Sequence, residues 1–322
     1  MMGHYRIQKV IKPGPNKKQN YYIYNYTVMD YNRRKFLRQT AGITSGFALA
    51  SLAGSSAFST DFFEERKKIK DFGLQLWTLR EDLPKDPKGV LKQVAAFGYK
   101  HIESFEGSQG MFWGMKNTEF KKYIADLGMT MYSSHFGSDA DFEKKAADAA
   151  EIGMKYLTMA YEGPGKTIDD YKKYAESFNK KGEICKKNGI RFAFHNHDFT
   201  FQPIQGQFAQ DILLTNTDPT LVDFEMDIYW VVTAGQDPET WFKKYSNRFR
   251  LCHIKDRTKN AVADNGKNSV DLGTGIIDFS KVLKTAKANG MKYFIVEQEA
   301  YPGGSPLNAV KVDAEYMKKL SI

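Results

Sequence analysis

The stretch Asn188-Gly189-Ile190-Arg191-Phe192-Ala193-Phe194-His195-Asn196-His197-Asp198 joins a helix stop, a strand and a cluster of ligating side chains. Gly189 closes the helical pattern of residues 168–188, because a C′ glycine takes the left-handed conformation without a Cβ clash. The apolar run Ile190 to Phe194 then reads as a strand that stops on two imidazoles and a carboxylate. The same phrase of helix, glycine, apolar residue and short strand recurs at Phe97-Gly98-Tyr99, Leu127-Gly128-Met129, Ile152-Gly153-Met154 and Asn289-Gly290-Met291.

Working outward from these punctuation marks predicts strands at 72–77, 100–104, 129–134, 155–160, 190–195, 221–227, 249–254 and 292–297. Helical patterns fall near 87–97, 118–127, 141–152, 168–188, 207–214, 238–245, 278–289 and 306–319. Eight strands alternating with helices over about 250 residues match the size and rhythm of a single (β/α)8 TIM barrel. An open doubly wound sheet is the alternative. It is disfavoured because no Gly-rich dinucleotide fingerprint follows any predicted strand. In a closed parallel barrel every strand's carboxyl end lies on one face. Glu103, His135, His195, Asp227, His253 and Glu297 all fall at such ends, so residues scattered along the chain are expected to cluster in space.

Composition narrows the partners. The chain has 322 residues and a net charge of +9. Residues 1–57 hold nine Lys/Arg and one acid, which leaves 38 basic and 37 acidic residues for the rest. A balanced body lacks the continuous basic face that nucleic acid requires. Cys185 and Cys252 have no C-x-x-C partners, so both read as small buried apolar residues rather than a disulfide or thiolate site.

At the front, Asn32-Arg33-Arg34-Lys35-Phe36-Leu37-Arg38 precedes a mildly apolar, small-residue stretch from Ala41 to Ala57. This resembles a twin-arginine export signal, with cleavage expected after Ala57 and a periplasmic destination. The apolar stretch is too short for a stable span, so contact with a membrane is expected only during export. The expected organisation is residues 1–28 as an extension before the start at Met29, 29–57 as signal, 58–71 as linker and 72–322 as the catalytic barrel.

Several stretches together resemble the sugar isomerase and epimerase group with a xylose isomerase-like barrel. They are Asp227 ending strand six, His253-Ile254-Lys255-Asp256 ending strand seven, Gly273-Thr274-Gly275-Ile276-Ile277-Asp278-Phe279 leading into a helix, and Glu297 ending strand eight. The resemblance covers about residues 72–320 and implies one divalent metal held from strands five to eight, here His195, Asp227, His253 and Glu297. Two imidazoles and two carboxylates suit Mn, Fe, Co, Ni or Zn better than Mg. Two departures stand out. His195 replaces the Glu of the family's usual Glu-Asn-His run, and Trp230 stands where family epimerases often carry a His three residues after the strand-six Asp.

The expected chemistry is removal of a proton beside a sugar carbonyl through a metal-stabilised enediolate, leading to isomerisation or epimerisation. Glu297 or Glu103 would be the base and Lys255 would stabilise the oxyanion. Because His195 makes the site less symmetric, elimination or hydration of a keto-sugar or keto-glycoside stands beside epimerisation. A non-catalytic exported sugar-binding barrel is the reading from outside enzymology, and phosphodiester cleavage ranks below both. Arg257 is placed to bind a carboxylate or phosphate, His135 and His197 to contact sugar hydroxyls or support the metal, and Trp77, Trp113 and Trp230 to stack on a pyranose. Gly273-Thr274-Gly275 is at best an anion nest. The expected partner is a free sugar or glycoside, and a homo-oligomer is compatible with the sequence.

Overall fold

The computed structural model describes residues 68–259 and 266–322. The extension, the export signal and residues 58–67 lie outside the described residues. Residues 68–71, expected as linker, belong to the barrel: Lys68 bridges Ser321, and Ile69 N–H donates to Leu320 O.

Eight parallel strands close on themselves: β1 (Gly73–Gln75), β2 (His101–Phe105), β3 (Thr130–Phe136), β4 (Tyr156–Met159), β5 (Arg191–His195), β6 (Val222–Asp227), β7 (Phe249–Ile254) and β8 (Tyr293–Val296). Closure comes from β1 against β8, with Gly73 opposite Ile295 and Leu74 opposite Val296. The main helices are α1 (Pro87–Phe97), α2 (Asn117–Asp126), α3 (Phe142–Glu151), α4 (Ile168–Lys187), α5 (Ala209–Asn216), α6 (Ile228–Thr233), α7 (Pro238–Lys244), α8 (Phe279–Ala288) and α9 (Pro306–Lys319).

The predicted stops hold. Gly189 has φ +78° with nothing within 4 Å of where a Cβ would stand, so left-handed backbone alone explains the glycine there, and the four other phrase glycines share a positive φ. Starts are chemically marked as well. Thr167 and Asp170 form a capping box on α4, and Asp86, Asp237 and Ser305 cap helices whose first residue is proline.

The strand period of two sorts side chains between two environments. On β6, Val222, Phe224 and Met226 join the main core between sheet and helices, which leaves Asp223, Glu225 and Asp227 on the alternate face, inside the barrel. On β5, Phe192 and Phe194 pack on Phe178 of α4, with ring centroids 5.4 and 4.8 Å away. Burying each such ring contributes roughly 1.5–3 kcal/mol. Ala193, Leu251, Ile295 and Tyr156 form a separate small apolar plug inside the barrel. Three of these lie two residues before His195, His253 and Glu297, so the plug is the floor of the polar layer above it.

Several elements differ from expectation, two of them beside the strand ends. The first strand stops at Gln75, whose side chain accepts from Trp77 N–H at 3.0 Å and starts a 3-10 turn, Leu76–Leu79. Helix α6 was not foreseen: Ile228, Tyr229, Trp230 and Val231 are all buried, so no amphipathic stripe marked it.

Candidate metal centre and active site

Strand ends from around the barrel deliver polar residues to one space. The tip of β6 is latched to the tip of β5, since Asp227 N–H donates to Asn196 Oδ1 (3.1 Å) and Asn196 Nδ2 donates to Asp227 O (3.2 Å). Asp227 also caps α6, accepting from Trp230 N–H on Oδ1, which leaves Oδ2 facing Lys255 Nζ at 2.8 Å. Just beyond the end of β7, Asp256 accepts N–H bonds from Arg257, Gly273, Gly275 and Ile277. The glycine loop read as an anion nest therefore wraps the protein's own carboxylate. A Cβ on Gly275 would meet Asp256 Oδ1 at 2.2 Å, which is why that position is glycine.

The centre has two tiers that meet at His253. In the lower one, Glu103 Oε2 lies 2.7 Å from His253 Nε2 and 3.4 Å from His135 Nε2, and accepts from Gln75 Nε2 at 2.9 Å. Glu225 Oε2 lies 2.8 Å from His135 Nε2, 3.2 Å from His195 Nδ1 and 3.3 Å from His253 Nε2. In the upper one, His253 Nδ1 lies 3.1 Å from Glu297 Oε2 and 3.8 Å from Asp227 Oδ2. There the Lys255 ammonium reaches Glu297 (2.9 Å) and Glu299 (2.6 Å) as well as Asp227, above the rings of Tyr229 and Trp230.

Electrostatics follow from burial. Desolvation together with the Glu103 charge pushes the Glu225 carboxyl up to about 7. Glu103 is held below the usual range, because the neighbouring His135 and His253 outweigh the cost of its burial. Burial opposes charge on both those imidazoles, yet the carboxylates around them win and raise them. Burial and its neighbouring histidines hold His195 well below 6.5, so it stays neutral. The Glu297 carboxylate, although buried, is kept well below its ordinary value by Lys255 and His253, whereas burial raises Glu299.

All four residues of the expected metal set, His195, Asp227, His253 and Glu297, line this space. Among the described residues the groupings whose ligand atoms lie within 4.8 Å of one another are His135, His195, Glu225 and His253, and separately Asp227, His253 and Glu297. The donor set fits a divalent first-row ion, because imidazoles and carboxylates converge and one oxygen each of buried Glu103 and Glu225 has no hydrogen-bond partner.

The outer residues divide. Trp77 lies at the mouth, 40% exposed, with Arg80 over its ring at 5.3 Å. Trp113 does not reach the mouth: it is 2% exposed, packs on Phe105 and donates Nε1–H to Ser104 Oγ, so it cannot stack on a sugar. Trp230 is also buried and backs His197 at 5.4 Å rather than offering a face. His197 sits between Trp230 and Phe199, where burial and Lys255 lower it to about 4. Arg257 donates to Thr233 Oγ1. Glu225, Glu299 and the exposed Tyr161 were missed by sequence reasoning. Glu225 was findable, because it shares the strand parity of Asp227.

A family model described as a xylose isomerase-like TIM barrel matches residues 91–320. The inosose dehydratase of Clostridium perfringens is 29% identical over 165 residues, covering 47% of this chain and 55% of that protein, so the chain spans about half of that relative's length. A solved sugar phosphate isomerase/epimerase from Parabacteroides distasonis is 30% identical, with a TM-score of 0.68 over 78% of this chain and 98% of that one. The IolI protein with a bound zinc atom shares the fold, at 15% identity and a TM-score of 0.62 over 76% of this chain and 95% of its own.

Proposed function

This chain belongs to the xylose isomerase-like TIM barrel family, and on that premise we propose that it is a divalent-metal-dependent enzyme acting beside the carbonyl of a keto-sugar or keto-glycoside, with elimination as the outcome. The observation that carries this reading is the one-sidedness of the proton-carrying groups. Epimerisation works on both faces of one carbon and needs such groups opposed across the substrate. Here Glu297 and Glu299 come from one segment after β8, while the strand-five position is His195, buried, neutral and hydrogen-bonded to Glu225. Elimination uses a base and an acid on neighbouring carbons, which one edge of the mouth supplies.

Glu297, held ionised, is the base, and Glu299, raised by burial, donates the proton to the leaving oxygen. Lys255 lies within bonding distance of both and is placed to follow the charge onto the substrate oxygen. The bound ion supplies polarisation of the carbonyl, which acidifies the neighbouring C–H. The exposed faces of Trp77 and Tyr161 suit apolar sugar faces at the rim. A dehydratase among the relatives supports elimination, and the isomerase/epimerase relative keeps epimerisation as the second reading.

The test is incubation with inososes, keto-sugars and keto-glycosides in D2O, followed by NMR with and without added Mn, Co or Zn. Metal-dependent loss of the C–H signal together with an unsaturated ketone supports elimination, whereas inversion at the exchanged carbon selects epimerisation. Sugar binding that survives chelation, with no exchange into any ketone, would show a non-catalytic barrel. We also propose export to the periplasm, supported by the Arg33-Arg34 motif alone. A reporter fused after residues 29–57 should leave the cytoplasm only while that pair is intact.

A further inference from the structure

His253 turns one ring nitrogen to each tier, and the two are bonded differently. On the upper side Nδ1 faces the space between Asp227 Oδ2 (3.8 Å) and Glu297 Oε2 (3.1 Å). On the lower side Nε2 meets Glu103 Oε2 at 2.7 Å, closer than the 3.3 Å to Glu225, whose own Oε2 is taken by His135 Nε2 at 2.8 Å. Glu103 is itself fixed from behind. Gln75 Nε2 donates to the same oxygen at 2.9 Å, the Ser133 hydroxyl adds a further bond, and Thr158 Oγ1 backs Ser133 at 2.8 Å. The amide oxygen of Gln75 is committed to Trp77 N–H, which settles which end of that amide faces Glu103. Converging donors make the carboxylate an acceptor, so the imidazole nitrogen facing it carries a hydrogen. His135, 3.4 Å from Glu103, and His253 are both raised by the carboxylates around them and supply the balancing positive charge; an ion at Nδ1 takes the place of one such charge.

We propose that Glu103 is the positioning residue of the metal centre: it holds His253 with Nε2–H toward the lower tier and Nδ1 toward an ion bound at the carboxyl ends of strands five to eight. A role for Glu103 as the base is set aside, because it is fully buried and its Oε2 already serves Gln75 and His253. A carboxylate behind a ligating imidazole fixes the orientation of the ring and raises its basicity, and losing such a partner weakens metal binding roughly 10–100-fold. Strands β1 to β4 carry Gln75, Glu103, Ser133 and Thr158 and supply none of the four expected ligands. The half of the barrel without ligands thus braces a ligand borne by β7. The inference rests on the metal of the proposed function and not on its reaction.

The experiment loads the purified full chain with Zn(II), removes excess ion by gel filtration and assigns the histidine ring nitrogens by 15N NMR. In the wild type, which needs no variant to fold, His253 is expected with zinc on Nδ1 and a slowly exchanging hydrogen on Nε2. Titration against a chelator should show Glu103→Ala losing roughly tenfold or more in zinc affinity, with Glu103→Gln between it and wild type because an amide oxygen still accepts. In Glu103→Ala the Nε2 hydrogen of His253 should exchange faster with solvent, a local change that a general loss of stability would not single out. Zinc on Nε2, a Glu103 oxygen in the zinc shell of crystals of the loaded protein, or unchanged affinity in Glu103→Ala would each overturn the assignment. Zinc uptake below about a tenth of an equivalent would overturn it too. Zinc bound as described by a chain that exchanges no C–H of any ketone would uphold this inference and sink the proposed reaction, whereas zinc on Nε2 with exchange intact would do the reverse.

Discussion

Lys255 shows how much one side chain can organise. It is buried among three carboxylates, and that surrounding charge raises its pKa against the cost of burial. Lys255→Met would remove the ammonium that all three carboxylates share. Stability should fall by about 3–5 kcal/mol, the usual consequence of removing one member of a buried ion network, measurable by urea melts of the apo protein. His197 carries the pH signature. Its imidazole is lowered to about 4 from an ordinary 6.5, so the unfolded chain binds more protons between those values. The stability contributed by the neutral ring is therefore whole above pH 6.5 and is lost as pH falls toward 4, by at most about 3 kcal/mol. His197→Gln should flatten that limb of the stability profile. Cys185, fully buried and pushed up to about 12 by desolvation, should resist iodoacetamide in the native protein and react only after denaturation.

Among the elements, α4 approaches the chain entering β6 closely at Gly182, where a Cβ would lie 2.8 Å from Leu221 Cβ and 3.0 Å from Leu221 O. Gly182→Ala should lower the melting temperature, because a backbone contact of that kind outweighs the helix propensity gained, roughly 1 kcal/mol. The same scale explains what was legible beforehand. His195, Asp227, His253 and Glu297 stand out because each closes an apolar run, and the glycine stops fixed where those runs begin. Glu225 stayed hidden in the middle of such a run, although the period of two aligns it with Asp227. Glu299 lies beyond a strand end, where sequence shows no direction. Trp113 was misjudged because its loop turns inward at positive φ, 54°, and delivers the indole to Ser104. Helix α6 escaped because a segment buried all round has no polar face to reveal its period.

For the molecule as a whole, the polar layer inside the barrel is also a structural joint, since its residues come from seven of the eight strands when Gln75 is included. An ion held there ties neighbouring and opposite walls together. Chelation should therefore lower the thermal midpoint, and resupplied metal at 1,000 times its Kd should restore about 4 kcal/mol, readable by calorimetry. Closure was foreseeable because the alternation of elements is regular and the glycine stops repeat. The assortment of residues into tiers was not, because it depends on the stagger between strands, including the irregularity at Phe224/Glu225 against β7.

Asp256, gripped by four main-chain amides, has a bearing on selectivity. A loop whose amides converge as an anion nest carries a resident tenant of the same sign. A substrate bearing a terminal phosphate would have to displace a covalently tethered competitor, whereas an uncharged sugar has no need of that berth. That occupied anion socket accords with the proposed preference for an uncharged carbohydrate.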